Sequence, residues 1–302
     1  MASGITGLSQ ELASAAERAG TSVVTVQGRH RAPSSGIHWR KGVVVTADHA
    51  LRHEEGISIM APDGKRIAAR LAGRDAGTDL AALAIDQEAG LEVPAFADAP
   101  IKLANIVLAL GRTRRGQLVA SAGIIGGLGG EWRTWRGGRI DQSVRLDLSL
   151  YPGFSGGPLL NLDGKVVGVN TNGLSRGRAV TIPLSTVNRT IDELLEKGHV
   201  ARPYLGLAMQ PVAIPENLRS RLKKATTGGL VVLHVESNGP ADKAGILLGD
   251  VIVELEGKPA TDLDEIQEML TSRQVNDELS VGVLRAGASA DLSITLGERP
   301  TR

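Results

Sequence analysis

A serine set among glycines is the residue in this chain best placed to do chemistry. Gly153-Phe154-Ser155-Gly156-Gly157 follows Tyr151-Pro152. Glycine takes φ > 0 without a Cβ penalty, so Gly153 can make a sharp turn. Such a turn can aim the N–H groups of Gly153 and Ser155 at one point beside the Ser155 hydroxyl. That is the layout of a nucleophile next to an oxyanion hole. A serine nucleophile also needs a base for its proton and a carboxylate to orient that base. His49 stands at the end of the β-branched run Val43-Val44-Val45-Thr46, after Ala47-Asp48. Asp79 opens the apolar run Leu80–Ile85. Taken singly, a histidine after a strand or an aspartate before one is usually a surface or turn residue. Taken together with the serine turn, the three make a His-Asp-Ser set.

The chain order separates this set from two alternatives. Subtilisin-like chains run Asp, His, Ser, and α/β-hydrolases run Ser, Asp, His. The order here is that of double-barrel serine proteases. The elements around the three residues fit that arrangement. Of the 302 residues 42% are hydrophobic, enough for a sizeable core, and 38 are glycine, whereas aromatics make up only 2%. That composition suits short strands and tight turns better than a helical bundle. The pattern predicts first-barrel strands from Val23 and at 43–46, 56–60, 66–71 and 80–85, with a hairpin at Asp63-Gly64. A second barrel is expected from segments 105–110, 117–125, 138–146, 157–161, 165–170 and 178–183, with a hairpin at Asp163-Gly164. Helices are expected over 7–19, closed by Gly20, and over 186–197, closed by Gly198. The second helix would carry Ile191, Leu194 and Leu195 on one face.

Thr46 to His49, Asp75 to Ile85, Asp147 to Gly168 and Val180-Thr181-Ile182-Pro183 together resemble the HtrA/DegP family of serine proteases. The C-terminal third is similar to that family's PDZ domain, most specifically through Gly239-Pro240-Ala241, Ala244-Gly245-Ile246 and Gly249-Asp250-Val251-Ile252. The fold class implied is mainly β: a two-barrel trypsin-like protease domain followed by an α+β PDZ domain. The expected boundaries are 1–20 for an N-terminal helical segment, 21–198 for the protease domain, 199–202 for a linker and 203–298 for the PDZ domain. By motif, His49 is the general base, Asp79 its orienter and Ser155 the nucleophile. Gly153 and Ser155 supply the oxyanion hole. Asp75 shares the Asp-x-x-x-Asp-Leu-Ala pattern, in which the second acid is catalytic.

Thr171, Asn172 and Gly173 would line the specificity pocket. No acid there selects a basic side chain, and the resemblance implies small to medium aliphatic residues at the cleavage site. In the PDZ domain the Tyr204-Leu205-Gly206-Leu207 loop would present N–H groups to a peptide C-terminus, with the next strand pairing with the peptide backbone. The helix over 262–272 would form the other wall through Ile266, with Met269 or Leu270. The competing reading makes Ile266 and Leu270 plain core residues.

Two departures from the family pattern stand out. Phe154 occupies a place usually held by Asn, and is expected to offer an apolar face beside Ser155 or to plug the cleft. Ser34-Ser35-Gly36 replaces a Gly-Ser-Gly run. The Gly-rich segment 126–138 carries Trp132 and Trp135; it is read either as a substrate-sensing loop or as a loop whose aromatics pack onto the barrel.

Several classes are disfavoured. With 34 basic against 33 acidic residues, nothing points to nucleic acid, and Arg112-Thr113-Arg114-Arg115 reads as a solvated turn. No cysteine is present, so neither a disulfide nor a Cys-ligated zinc forms. His49 and His53 lack the intervening Glu of a zincin helix, the other histidines show no ligand spacing, and no metal or cofactor is expected. No apolar run reaches the roughly 18 residues of a membrane span. The N-terminus lacks a basic-then-apolar leader. The resemblance points to the periplasm or cell envelope, with a leader removed, and leaves the cytoplasm open. The implied partners are unfolded polypeptides and peptide C-termini, and the family commonly forms homotrimers, though residues 1–30 contain no aromatic. The alternative function is a non-catalytic peptide-binding or chaperone-like scaffold with a latent protease site; loss of His, Asp or Ser would favour it, and all three are present.

Overall fold

The structure is a computed structural model describing residues 2–28, 34–87, 89–175, 179–219 and 226–299. The chain divides into two compact units, Met1–Val200 and Ala201–Arg302.

The first unit opens with α1 (Ala2–Gly20), which reaches further toward the N-terminus than its pattern suggests and buries Ala15 and Ala19. A closed barrel follows, built from β1 (Val23–Gln27), β2 (Ser34–Arg40), β3 (Val43–Ala47), β4 (Ser58–Met60), β5 (Arg66–Asp75) and β6 (Leu80–Ile85), in the order β1-β2-β3-β6-β5-β4. The second barrel uses β7 (Ile106–Arg112) and β8 (Leu118–Gly129). A small hairpin of β9 (Trp132–Arg133) and β10 (Arg139–Ile140) then intervenes. Next come β11 (Ser143–Asp147), β12 (Pro158–Leu160), β13 (Val166–Thr171) and β14 (Val180–Pro183), closing as β11-β14-β13-β12-β7-β8. The helix α2 (Leu184–Lys197) ends the unit. Gly198 caps it in the left-handed conformation, its N–H bonded 2.9 Å to the Leu194 carbonyl.

Period-two alternation decides which core each strand residue joins. Val24, Val26, Val44, Ala81 and Leu83 pack within the first barrel. Their neighbours Val43, Val45, Leu80 and Ala82 face a shared core, where Leu108, Leu110 and Leu160 of the second barrel meet Ile191 and Leu194 of α2. The loops carrying His49, Asp79 and Ser155 therefore sit on two barrels joined by one apolar seam.

Three expectations need correction. Strand β2 carries no clear alternating signal and is not among the expected strands; its residues from Ser34 to Trp39 are nevertheless buried. Arg112 does not lie in a solvated turn. It is 6% exposed, and its guanidinium donates to the carbonyls of Val23, Gly116 and Gly20, the last at the C-terminal end of α1. Burial pushes its pKa down from the ordinary arginine value. Leu195 faces solvent, while Ile191 and Leu194 are buried. The last expected strand starts at Val180; Arg178, its expected first residue, lies outside the described residues.

The second unit contains β15 (Pro203–Tyr204), β16 (Leu207–Ala213), α3 (Glu216–Arg219), β17 (Gly228–Val235), α4 (Pro240–Lys243), β18 (Val251–Leu255), β19 (Lys258–Pro259), α5 (Leu263–Thr271), β20 (Glu278–Arg285), β21 (Ala288–Thr295) and β22 (Gly297–Glu298). Its main sheet runs β16-β17-β18-β20-β21, with β19 paired to β18, and β16 lies at one edge. Asp262 caps α5, accepting the Asp264 N–H at 2.8 Å. Asp250 is 2% exposed and forms a two-pronged bond to Arg285, at 2.8 and 2.7 Å. Burial pushes the Asp250 carboxyl up, but hydrogen bonds from Arg285 and from the Leu247 N–H, with the Arg285 charge, hold it below the usual carboxylate range.

Candidate active site and peptide groove

His49 sits in a single 3-10 turn, Asp48–Ala50, at the end of β3. Asp79 sits immediately before β6, in a left-handed conformation at φ +58° that aspartate tolerates better than most residues. Their carboxylate–imidazole bonds are 2.8 and 2.9 Å to His49 Nδ1. The His49 backbone N–H adds a third bond, 3.0 Å to Asp79 Oδ1. Asp79 is almost fully buried (3% side-chain exposure), whereas the imidazole is about one-third exposed (32%). That contrast suits an orienting acid behind a base that must meet substrate. Asp75 does something different. Its carboxylate accepts the Gly77 N–H, the Thr78 N–H and the Thr78 hydroxyl at 3.1, 2.9 and 2.8 Å. It shapes the loop that delivers Asp79.

Ser155 lies in the loop between β11 and β12. The stretch Tyr151-Pro152-Gly153-Phe154 has the marks of a type II turn: Pro at the second position, Gly at the third with φ +101°, and a Phe154 N–H bond of 3.0 Å to the Tyr151 carbonyl. The Ser155 hydroxyl is 3.4 Å from the Asn172 N–H. A Cβ on Gly156 would strike the Ser35 carbonyl and come within 2.7 Å of the Thr46 hydroxyl. The glycine after the serine is thus required by the first barrel, against which the loop is wedged.

The two barrels are stitched in both directions. From β2, the Ser34 hydroxyl donates 2.6 Å to the Ser155 carbonyl, which also accepts the Ser35 N–H at 3.1 Å. The Ser35 hydroxyl donates 2.6 Å to the Gly153 carbonyl. From β13, the Thr171 hydroxyl donates to Asp79 Oδ2 and accepts the Gly173 N–H at 2.8 Å. Thr171, expected in the specificity pocket, is fully buried against the carboxylate (0% exposed). A Cβ on Gly173 would collide with the Asp79 carboxylate and lie 2.7 Å from His49 Nδ1, so Gly173 covers the His-Asp pair. Asn172 and Gly173 are the exposed members of the three. Ser34 and Ser35 had a signal, the unusual Ser-Ser-Gly run, but nothing in it revealed a brace.

Phe154 departs from its expected role. It is 1% exposed and packs with Val107, Ala109, Ile125, Val144, Leu159 and Val167 inside the second barrel. It presents no apolar face to the cleft and does not plug it. The hairpin β9–β10 splits its two tryptophans: Trp132 is half-buried against the core, and Trp135 is 74% exposed with Arg136 stacked 4.5 Å above its ring. The hairpin also touches the Asp79 loop, through a 2.7 Å bond from the Thr134 hydroxyl to the Gly77 carbonyl.

In the second unit, the Leu205-Gly206-Leu207 loop precedes the edge strand β16. Gly206 has φ +75°, and its carbonyl accepts the Glu236 N–H while the Leu205 carbonyl accepts that of Ala241. Both carbonyls thus turn inward onto the domain. Among the described residues, neither the Leu205 nor the Gly206 N–H has a backbone partner. The Leu205 side chain is buried, as are Ile266 and Leu270, all within the domain core. Met269 is only partly buried against that core.

Residues 34–169 match the trypsin-like peptidase domain and residues 203–296 match the PDZ domain. A serine protease Do-like HtrA from Lactobacillus helveticus is 33% identical over 85% of this chain and 65% of its own length. A probable periplasmic serine endoprotease DegP-like from Rhizobium meliloti is 31% identical over 90% of this chain and 55% of its own. The chain belongs to the HtrA/DegP family of serine proteases. Among solved structures, the serine endoprotease from Yersinia pestis superposes with a TM-score of 0.73 at 29% identity, covering 96% of this chain and 98% of that one. The HtrA-type protease AlgW, solved with a decapeptide, gives 0.70 at 25% identity, covering 96% and 99%. The chain spans between about half and two thirds of the length of these curated HtrA and DegP-like relatives.

Proposed function

We propose that this HtrA-type chain is a serine endopeptidase that cleaves unfolded polypeptides through an acyl-enzyme at Ser155. The observation that carries the reading is the 2.8 Å bond from His49 Nδ1 to a buried Asp79 carboxylate, the bond by which an orienting acid holds a general base. In this mechanism Ser155 Oγ attacks the scissile carbonyl as His49 Nε2 takes its proton. Asp79 stabilises the imidazolium, and the Gly153 and Ser155 N–H groups receive the oxyanion. His49 then returns the proton to the leaving amine. Water repeats the sequence to release the acyl group.

The exposed Asn172 and Gly173 border the pocket for the residue before the scissile bond, and a small or medium aliphatic side chain fits the family's preference. In the PDZ domain the free edge of β16 accepts a peptide strand, and the Leu205, Gly206 and Leu207 N–H groups hold its terminal carboxylate. Met269, only partly buried, forms the apolar wall, with the buried Ile266 behind it. A periplasmic location accords with the names of the DegP-like relatives, and a homotrimer with the family resemblance; sedimentation gives the mass directly.

The decisive experiment combines fluorophosphonate labelling with digestion of unfolded casein. The wild-type chain is labelled at Ser155 and cleaves casein; Ser155→Ala does neither while retaining its fold. Unlabelled wild-type protein, with or without a peptide bearing an apolar C-terminus, would leave the scaffold reading in its place. For the PDZ domain, calorimetry of the full chain with such a peptide shows binding that amidation of the peptide abolishes. Equal binding of the amide removes carboxylate capture.

A further inference from the structure

The turn that carries His49 is too short to hold itself. A 3-10 turn of three residues has one closing bond, here the Leu51 N–H to the Asp48 carbonyl at 3.0 Å, and no side chain caps its start. One face is fixed by Asp79, through the His49 N–H and through the Asp48 N–H, which donates 3.1 Å to the Asp79 carbonyl. The other face is held by Arg74, near the end of β5. Its Nε donates 2.5 Å to Asp48 Oδ1, and a terminal nitrogen reaches the Asp48 and Leu51 carbonyls at 3.3 and 3.2 Å. One guanidinium thus grips the side chain at the start of the turn and the backbone at both ends. Arginine's planar fork of donors suits that grip, and a lysine ammonium does not reproduce it.

The Asp48 side chain is 4% exposed and Arg74 is 30% exposed. A buried carboxylate is costly unless paired and hydrogen-bonded. Glu54, the other acid near the guanidinium, is 3.9 Å away and mostly solvated, so it does not compete for the short bond. The next residue in β5, Asp75, shapes the Asp79 loop. Adjacent residues at one strand end therefore fix both partners of the His-Asp pair, Arg74 for the histidine turn and Asp75 for the aspartate loop.

We infer that Arg74, acting through Asp48, is a positioning residue for His49, setting the imidazole against Ser155. The inference rests on the reading of His49, Asp79 and Ser155 as the catalytic set. A displacement of about 1 Å in a catalytic group costs on the order of a hundredfold in rate. In the full chain, Arg74→Met should lower the rate of fluorophosphonate labelling and the kcat for casein by about 30-fold while KM stays within about threefold. Asp48→Asn, which keeps an acceptor in place, should lose about fivefold. Because the two side chains act as one unit, the double variant should be no slower than Arg74→Met alone. Labelling of Arg74→Met within about twofold of wild type, or losses that multiply in the double variant, overturn the inference. A lower melting temperature with unchanged kcat does so too, since that is what a purely structural role predicts. Where Arg74→Met does not fold, Asp48→Asn and Arg74→Lys carry the test, and wild-type rates in both overturn it. A wild-type chain that fails to label overturns the protease reading itself, an outcome distinct from a labelled wild type with an unaffected Arg74 variant.

Discussion

The two halves of the proposed active site are held by different physics. On the first barrel, His49 and Asp79 are fixed by polar side chains with directional bonds: the buried Thr171 on Asp79, the buried Asp75 on its loop and the half-buried Arg74 on the histidine turn. On the second barrel, the nucleophile loop is fixed mainly through its backbone. Hydroxyls from β2 bind its carbonyls, Gly156 lets it sit against the first barrel, and the Phe154 side chain anchors it in apolar core. One half is tuned by charged hydrogen-bonding groups, the other by neutral hydroxyl bonds to its backbone and by shape. Substitutions should therefore fail differently: on the histidine side by losing turnover in a folded protein, on the serine side by losing stability along with it.

The largest expected effect tests the histidine half. Asp79→Asn leaves the volume unchanged but no longer holds the imidazole in the right tautomer, and should cost about four orders of magnitude in kcat. Asp75→Asn keeps an oxygen for the loop N–H groups and should cost no more than about tenfold. Steady-state kinetics on both variants checks this, and equal losses would mean that the two acids share the orienting role. Gly173→Ala comes next. The added Cβ meets the Asp79 carboxylate and His49 Nδ1, and a displaced pair should lose on the order of a hundredfold in kcat. Near-native melting would accompany the loss if the charge-tuned half is as independent of core packing as the comparison holds.

How much of this was legible depends on whether a residue's neighbours are close in sequence. His49, Asp79 and Ser155 are each marked by a local pattern: the end of an apolar run, the start of another and a Gly-x-Ser-Gly-Gly turn. The alternating strands and the Asp63-Gly64 and Asp163-Gly164 turns were legible for the same reason. Strand β2 was not, because Ser34 and Ser35 look like loop residues. Their partners are 121 and 118 residues away, at Ser155 and Gly153. Arg112 misled in the same way, since a charged residue beside Arg114 and Arg115 reads as solvated until the carbonyls of Gly20 and Val23 are seen around it. Thr171 was placed in the right segment with the wrong role. In a strand, successive side chains point to opposite faces, and only the fold reveals that this one meets Asp79.

Phe154→Ala probes the serine half. Truncating a buried phenylalanine costs about 3–5 kcal/mol of stability. Melting should fall sharply, and whatever activity remains at low temperature should show a reduced acylation rate, because the loop loses its anchor next to Ser155. Phe154→Leu, which keeps most of the apolar volume, should recover most of both. Loss of acylation in Phe154→Leu with native melting would move this residue to the charge-tuned class and break the contrast.

The smallest expected effect separates the two serines of β2. The Ser155 carbonyl accepts both the Ser34 hydroxyl and the Ser35 N–H. Ser34→Ala leaves the backbone bond in place, so turnover should fall by no more than about threefold. The Ser35 hydroxyl makes two bonds. It donates to the Gly153 carbonyl and accepts the Arg112 N–H at 2.8 Å. Its removal leaves the buried Arg112 N–H and the half-buried Gly153 carbonyl without that partner, at a cost of about 1–3 kcal/mol for a buried group left unmet. It also frees the peptide that follows Gly153, whose N–H is assigned to the oxyanion hole. Ser35→Ala should therefore lower kcat by about tenfold with little change in KM, and lower the melting temperature as well. The order of the two variants matters more than either magnitude. A brace acting through the backbone demands that Ser35→Ala be worse than Ser34→Ala in both rate and stability. The reverse order would mean that the nucleophile loop is held at the Ser155 carbonyl, with Gly153 finding its own geometry once the turn has formed.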